Sequence, residues 1–325
     1  MAKSAKRRPV FVDLCCGAGG MSSGFRRAGW LPLLGVDNSP HSRKTYEANI
    51  DAPSLAADLA APRAIRAIRQ KVGRRRLDAV IGGPPCQGFS RAGPRSVSDP
   101  RNELMACCAR VAVALKPSLI VFENVPNLAS PKFRPVLEGS LRVMRGAGYV
   151  AAVQLINARN FRVAQNRPRL LIVAALHADR KSLLEVLADI ASHTAPRVTV
   201  ASALAGLALN GKRLARSAIP NHEPMLHTRN VREKIRRIPP GAGPLSYRKL
   251  TPHSVADTMV CGHRALPCHY LTPRTITVRE AARLQSFSDA FVFRGPRGNQ
   301  MMQVANAVPP LMAAGVARRL RRLLG

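Results

Sequence analysis

The chain has 325 residues, 46% of them hydrophobic, enough for one large domain or two ordinary ones with a sizeable core. Lys and Arg number 51 against 18 Asp and Glu, a net charge of +33. That imbalance works against a compact fold without counter-charge and points to a polyanionic partner, nucleic acid or an anionic surface. A coding bias toward Arg and Ala accounts for part of the excess but not for its sign. There is no run of about eighteen apolar residues to span a membrane, and no apolar signal core follows the basic start MAKSAKRRP. Seven cysteines, with Cys15-Cys16 and Cys107-Cys108 adjacent, do not make a disulfide framework, so a reduced cytosol or nucleoid is the expected home.

In chain order, PVFVDLCC reads as a strand ending in the glycine turn GAGGMSSG, followed by a helix. WLPLLGVD is a second strand, and a helix follows around SRKTYEANI. LDAVIGGPP is a third strand-like run, SLIVFENV a fourth (entered after the apolar stretch Leu104 to Leu115), and RLLIVAAL closes the series. Strands alternating with helices imply right-handed crossovers and a mostly parallel, doubly wound α/β sheet. Ligands in such sheets sit outside the carboxyl ends of the strands. Three strands end in unusual polar text, Asp-Leu-Cys-Cys-Gly, Gly-Pro-Pro-Cys-Gln and Glu-Asn-Val, so the site is expected where those ends gather.

From about residue 178 to 270 Pro, Gly, Arg and His become frequent and strands are hard to read, which suggests a small, irregular, basic domain. ITVREAARLQSF then has helical spacing, and NAVPPLMAAGVARRLRRLL reads as a helix beginning near Pro309. The expected boundaries are 1–178, 179–270 and a C-terminal segment 271–325 that returns to the first domain.

Gly17, Gly19 and Gly20 between a strand and a helix let a ligand approach the backbone, and the helix N-terminus welcomes a negative group. The dinucleotide fingerprint needs glycine at position 22, where Ser22 stands, which counts against a nicotinamide oxidoreductase. Asp37 ends the second strand, where a carboxylate accepts both hydroxyls of a ribose. Asp58 could hold an adenine amino group. By themselves these residues say adenosine-type cofactor, or else a structural turn with two solvated acids.

Cys86 follows two prolines just past a strand end, a stiffened position at the functional edge for a soft nucleophile. Glu123 emerges from an apolar run, so desolvation is expected to raise its pKa and suit it to hold a proton near neutrality; its bland role is a turn cap. Along an extended stretch Gln165, Arg167 and Arg169 face one side, where two guanidiniums could hold a base carbonyl and a phosphate. The bland alternative is a solvated basic edge. Cys261, His263, Cys268 and His269 lack the paired spacing of a zinc site, so no metal is expected. The tail ARRLRRLL reads as a helix packing its apolar face inward.

Together these residues resemble the DNA cytosine-5 methyltransferase family, bacterial type. The order runs Asp13-Leu14 with Gly17-Ala18-Gly19-Gly20, Asp37, Asp58, Pro85-Cys86-Gln87, Glu123-Asn124-Val125 and Gln165-x-Arg167-x-Arg169. Arg279-Glu280 with Arg283-Leu284-Gln285 and Asn306-Ala307-Val308-Pro309-Pro310 complete it, so the likeness spans about 10 to 318. The resemblance implies the S-adenosylmethionine-dependent methyltransferase fold, with a small target-recognition domain where the match is loose. It implies Cys86, Glu123, Arg167 and Arg169 as catalytic residues. Cys15, Gly17, Ala18, Gly19, Gly20, Asp37, Asn38, Asp58, Pro85 and Asn306 would bind S-adenosyl-L-methionine.

The implied partners are double-stranded DNA, with a flipped cytosine as substrate, and a cognate restriction endonuclease. A monomer in the nucleoid-associated cytoplasm is expected. An RNA cytosine methyltransferase and a non-catalytic DNA-binding relative are the rivals within the family. Three departures stand out: Cys15 where the family has Phe, Ala305 where it has Gly, and Ser288 where Pro is common. Ala305 would cost about 1 kcal/mol if its backbone required a positive φ.

Overall fold

The computed structural model describes residues 7–85, 103–209, 218–244, 247–260 and 267–324. Cys86 and Gln87 of the Pro-Cys-Gln motif, and Cys261 and His263, lie outside the described residues.

Val10, Phe11, Val12 and Leu14 give β1 (Val10–Leu14) its apolar, β-branched character around Asp13, and the glycine turn leads into α1 (Gly20–Arg27). Next come β2 (Leu31–Val36) and α2 (Pro40–Asn49). Pro40 sits in the first turn of α2, and the Ser39 side chain accepts the Ser42 N–H at 3.3 Å. Short β3 (Ser54–Leu55), α3 (Arg63–Val72), β4 (Ala79–Gly82), α4 (Glu103–Ala114), β5 (Leu119–Asn124), α5 (Arg134–Gly146) and β6 (Val150–Asn157) follow. Then come β7 (Gln165–Asn166), β8 (Pro168–Ala175), α6 (Arg180–Ser192), α7 (Val200–Leu204), α8 (Arg229–Arg237) and β9 (Ala256–Asp257). The last helices are α9 (Val278–Leu284), α10 (Arg297–Asn306) and α11 (Pro310–Leu320).

The seven-stranded sheet has the order β3-β2-β1-β4-β5-β8-β6. The pairs β1–β2, β2–β3, β1–β4 and β4–β5 are parallel, and β5–β8 is antiparallel. The period of two along each strand sorts the core into two faces. Val12, Leu14, Val80, Ile120 and Phe122 pack with Ile68 of α3, Met105 and Cys108 of α4, and Leu141 of α5. On the other side Phe11 meets Phe25, which stacks edge-on against Trp30 with ring centres 5.2 Å apart. The Trp30 indole N–H donates to the Ala317 carbonyl of α11 at 3.3 Å.

The chain forms two compact units. The first comprises 1–156, 169–192 and 313–325, and the second 157–168 and 193–312. The run at 180–192, expected to be irregular, is instead the helix α6 of the first unit. Leu183, Val186, Leu187 and Ile190 repeat at helical spacing and are buried, and Arg319 and Arg322 of the C-terminal segment bind Asp189 at 3.2 and 2.8 Å.

In the second unit, β7 and β9 form a two-stranded parallel sheet. Helix α9 opens with a capping box. The Thr277 hydroxyl accepts the Glu280 N–H at 3.1 Å, and Glu280 accepts the Thr277 N–H at 2.7 Å. The buried Glu280 carboxylate is also gripped by both ends of Arg274, each at 2.7 Å. The Arg279 side chain, fully buried, donates to the carbonyls of Pro220, Ser288 and Phe291. Replacing Glu280 with Ala removes the box and leaves a buried guanidinium without its anion. The second unit should lose about 3–5 kcal/mol, measured as a lower urea midpoint for its transition; an unshifted midpoint would contradict this role.

Candidate cofactor and catalytic site

Strand order reverses direction between β1 and β4, and this switch point is where a doubly wound sheet opens a crevice at its carboxyl edge. The backbones come close there. A Cβ on Gly82, the last residue of β4, would lie 2.4 Å from the Leu14 carbonyl oxygen, so only glycine fits. Just beyond β1, Cys15 and Gly17 take left-handed conformations, φ 54° and 52°, and turn the chain back toward α1. A Cβ on Gly17 would meet nothing within 4 Å, which leaves open space above the turn. Gly19 is confined instead, because a Cβ there would sit 2.8 Å from Ile50 Cγ1. Ala18 and Gly20 are buried.

Asp37 follows β2 at the same edge. One carboxylate oxygen accepts the Gly17 N–H at 2.9 Å and the other the Ser39 N–H at 2.8 Å. Burial raises its pKa against the opposing effect of those bonds and of Arg43. Each oxygen keeps a lone pair for a further donor, so the fixed carboxylate suits a pair of vicinal hydroxyls. Asp58 comes three residues after the short strand β3, and its Oδ1 accepts the Ala60 N–H at 3.0 Å. Asn38 and Asp58 line one cavity of about 420 Å³ with Arg63, Arg66 and Gln70. The open turn, the tethered diol acceptor and this cavity fit an adenosine-type group.

Cys15 departs from the family, and its thiol points to α4: Sγ lies 3.8 Å from Cys108 Sγ. That hydrogen bond first, then burial, pushes the Cys15 thiol well above its ordinary pKa. Ala305 lies inside α10, away from any positive φ, so the expected backbone cost does not arise. Asn306 ends the same helix and is exposed, and it belongs to the second unit.

Glu123 and Asn124 end β5. Glu123 is 7% exposed, and the Arg169 Nε approaches its Oε1 at 2.7 Å from the paired strand β8. A buried counter-charge thus stands where the sequence reading had only desolvation. The Asn124 amide donates to the Pro84 carbonyl at 3.2 Å, tying the end of β5 to the segment after β4, beside half-buried Pro85.

Arg167 and Arg169, alike by alternation, are held by different partners. Arg169 stays with Glu123 in the first unit. Arg167 lies in the second unit, 2% exposed, where it donates to the Ala307 carbonyl at 3.0 Å and to Gln165 Oε1 at 3.5 Å. Its own N–H is held by Asn157 Oδ1 at 3.1 Å. Both arginines are buried, which excludes the solvated basic edge. Asn157 and Cys108 were missed in the sequence, since no spacing links them to the residues they hold. Of the four considered for zinc, Cys268 and His269 are buried in the second unit. His269 accepts the Leu271 N–H at 3.0 Å, and burial lowers its pKa to about 4.

Asp13, one residue before the end of β1, accepts the Ser22 hydroxyl at 2.6 Å, and burial lifts its pKa from 3.8 to about 7. Between those two values the folded chain keeps a proton that the unfolded chain has lost, so this group's contribution to stability falls as pH rises from 3.8 to 7. The wild type should therefore lose stability relative to Asp13→Asn across that window, on the order of a few kcal/mol. Chemical denaturation of both at several pH values checks it, and a constant difference would contradict it.

Residues 10–322 match the family described as C-5 cytosine-specific DNA methylase. The Type II methyltransferase M1.HphI of Haemophilus parahaemolyticus is 36% identical over 332 residues, 97% of this chain and 87% of that protein. The Type II methyltransferase M.XorII of Xanthomonas oryzae pv. oryzae is 31% identical, covering 98% and 85%. Among solved structures, a candidate DNA modification methyltransferase encoded within an E. coli prophage superposes with a TM-score of 0.80 at 26% identity, covering 97% of this chain and 99% of that one. The S. pombe Dnmt2 methyltransferase shares the fold with a TM-score of 0.70 at 16% identity, covering 97% and 99%.

Proposed function

The chain belongs to the C-5 cytosine-specific DNA methylase family, and from that premise we propose that it methylates carbon 5 of a cytosine extruded from duplex DNA by nucleophilic catalysis through Cys86. Carbon 5 of cytosine is a weak nucleophile. The Cys86 thiolate adds to ring carbon 6 and makes carbon 5 enamine-like. Glu123 holds the exocyclic amine and the proton at ring nitrogen 3 as the adduct forms. Arg167 binds the ring carbonyl and stabilises the negative charge that develops there. Arg169 positions Glu123 through the 2.7 Å ion pair. Carbon 5 then loses its proton to water, the Cys86 sulfur leaves as thiolate and ring nitrogen 3 gives back its proton to Glu123, which restores the aromatic ring.

S-adenosyl-L-methionine, when bound, supplies the electrophilic methyl group. Asp37 would take its ribose hydroxyls, Asn38 and Asp58 its adenine edge, and the Gly17–Gly20 turn its methionine part. Cys15, Pro85 and Asn306 complete the set. The observation that carries the reading is the buried Glu123–Arg169 pair at the carboxyl edge, on the strand tied through Asn124 to Pro84, two residues before Cys86 in sequence.

The base must leave the helix to present carbon 6, at a cost of roughly a few kcal/mol. The charge of +33 supports phosphate contacts, whose counterion release makes affinity fall steeply with salt. Relatives named Type II methyltransferases support a cognate restriction endonuclease as a partner in the cell. The chain acts as a monomer in the nucleoid-associated cytoplasm, and among the described residues no helix is long and apolar enough to cross a membrane.

Cys86→Ala should abolish transfer of labelled methyl groups to DNA while DNA binding survives, and normal transfer by that variant would refute the nucleophile. Glu123→Gln should lower the single-turnover rate by about 10²–10⁴-fold, and an unchanged rate would remove Glu123 from the chemistry. Bisulfite sequencing of DNA from cells expressing the chain reads activity and target sequence together. Methylation of tRNA but not of duplex DNA would favour the RNA rival.

A further inference from the structure

Cys15 and Cys108, both in the first unit, hold their thiols in contact, with the sulfurs 3.8 Å apart. The contact has no part in the methyl transfer proposed above. Cys15 is the residue after β1, and Cys108 lies in α4. Cys107, next to it on the helix, is engaged elsewhere, since Arg110 donates to its sulfur at 3.0 Å. Cys15 is half-buried and Cys108 fully buried, so a small oxidant meets Cys15 first.

Cys15 also opens the turn at the carboxyl edge. Its backbone is left-handed, φ 54°, a conformation disfavoured for an L-residue with a side chain. One residue on, the Cys16 N–H donates to the Val36 carbonyl at 3.0 Å. One further on, the Gly17 N–H donates to the Asp37 carboxylate at 2.9 Å. The Cys15 sulfur is thus two residues from the bond that fixes Asp37. A disulfide is about 2.05 Å long, so closing one here draws the sulfurs together by about 1.8 Å from their present contact. Cys108 belongs to the main core with Met105, Ala109 and Ile120, so the turn is the side that gives.

We propose that peroxide joins Cys15 to Cys108 in a reversible disulfide, and that this bond weakens the hold of the turn on S-adenosyl-L-methionine. The inference rests on the cofactor reading above. The Cys15 thiolate attacks one peroxide oxygen, the O–O bond breaks, and a sulfenic acid and one water result. The Cys108 sulfur then attacks the Cys15 sulfur, the S–O bond breaks, and the oxygen leaves as a second water. In sum two thiols give up two electrons and two protons, and one peroxide becomes two waters. The contact with Cys108 first, then burial, with Asp37 and Cys16 acting the same way, keeps the Cys15 thiol well above its ordinary pKa. Thiolate is therefore scarce at neutral pH, and the pair closes under sustained oxidation, faster as pH rises. A bond that closes only by shifting the turn is strained, so thiol reductants reopen it.

The test is calorimetric titration with S-adenosyl-L-methionine of the reduced chain, of the chain after prolonged millimolar peroxide at mildly alkaline pH, and of the oxidised chain after dithiothreitol. Peptide mapping of the oxidised chain should show Cys15 bridged to Cys108. Oxidation should weaken binding at least about tenfold, and dithiothreitol should restore it. Cys108→Ala should bind within about twofold of the reduced wild type, with or without peroxide. If that variant fails to fold, Cys15→Ala carries the comparison, because its own affinity should not respond to peroxide. Absence of the bridge would overturn the proposal, and so would a bridge that leaves affinity unchanged. An equal loss in wild type and Cys108→Ala would assign the effect to another thiol and overturn it too. A reduced wild type that binds no S-adenosyl-L-methionine, although the bridge forms, would instead overturn the cofactor reading.

Discussion

Between β1 and β4 the chain changes its direction of travel across the sheet, and both strands stop at the same edge, so close together that Gly82 has no room for a side chain against Leu14. The turn after β1 and the Asp37 carboxylate meet at that crowded edge. The turn after β1 must leave at once, which it does through the left-handed Cys15 and Gly17. Leaving there brings the Gly17 N–H to the Asp37 carboxylate at the end of the neighbouring strand. The same edge receives Glu123 from β5, and the Asn124–Pro84 bond closes the gap between β5 and β4. One topological event thus sets the tethered Asp37 carboxylate, an open turn and a buried Glu123 carboxylate along one rim.

The second organising fact is how few acids there are for so many cations. Among the described residues the buried acids are each matched to a partner: Asp78 to Arg7, Glu123 to Arg169, Glu280 to Arg274, and Asp13 to the Ser22 hydroxyl. A buried charge without a partner would be strongly destabilising, so acids held inside cannot neutralise the surface. The exposed arginines of α3 and α8 keep a positive field for phosphates. The same composition that strains the isolated fold prepares it for a polyanion.

Much of this was legible in the residues. The five principal strands read from the sequence are β1, β2, β4, β5 and β8, because apolar runs bounded by Gly, Pro or Asp carry a local signal. The glycine turn between β1 and α1 and the place of Asp37 just after β2 were legible because they depend on backbone freedom and chain spacing. What was not legible depends on contacts distant in sequence. Arg167 and Arg169 look equivalent by alternation, yet one pairs with Glu123 and the other with Ala307, 140 residues away. The pairing of Cys15 with Cys108 is of the same kind. Helix α6 was missed for a different reason: its flanks rich in Pro and Arg hid a regular apolar repeat at Leu183, Val186, Leu187 and Ile190.

The central claim is a transient bond between the Cys86 sulfur and carbon 6 of an extruded cytosine. A duplex with 5-fluorocytosine at the target position isolates it, because fluorine cannot leave carbon 5 as the proton does and the sulfur stays attached after methyl transfer. With S-adenosyl-L-methionine present, the account predicts a denaturation-resistant protein–DNA complex whose cross-linked peptide contains Cys86. Methyl transfer to the ordinary cytosine duplex, with no cross-link at Cys86 on the fluorinated one, would contradict it.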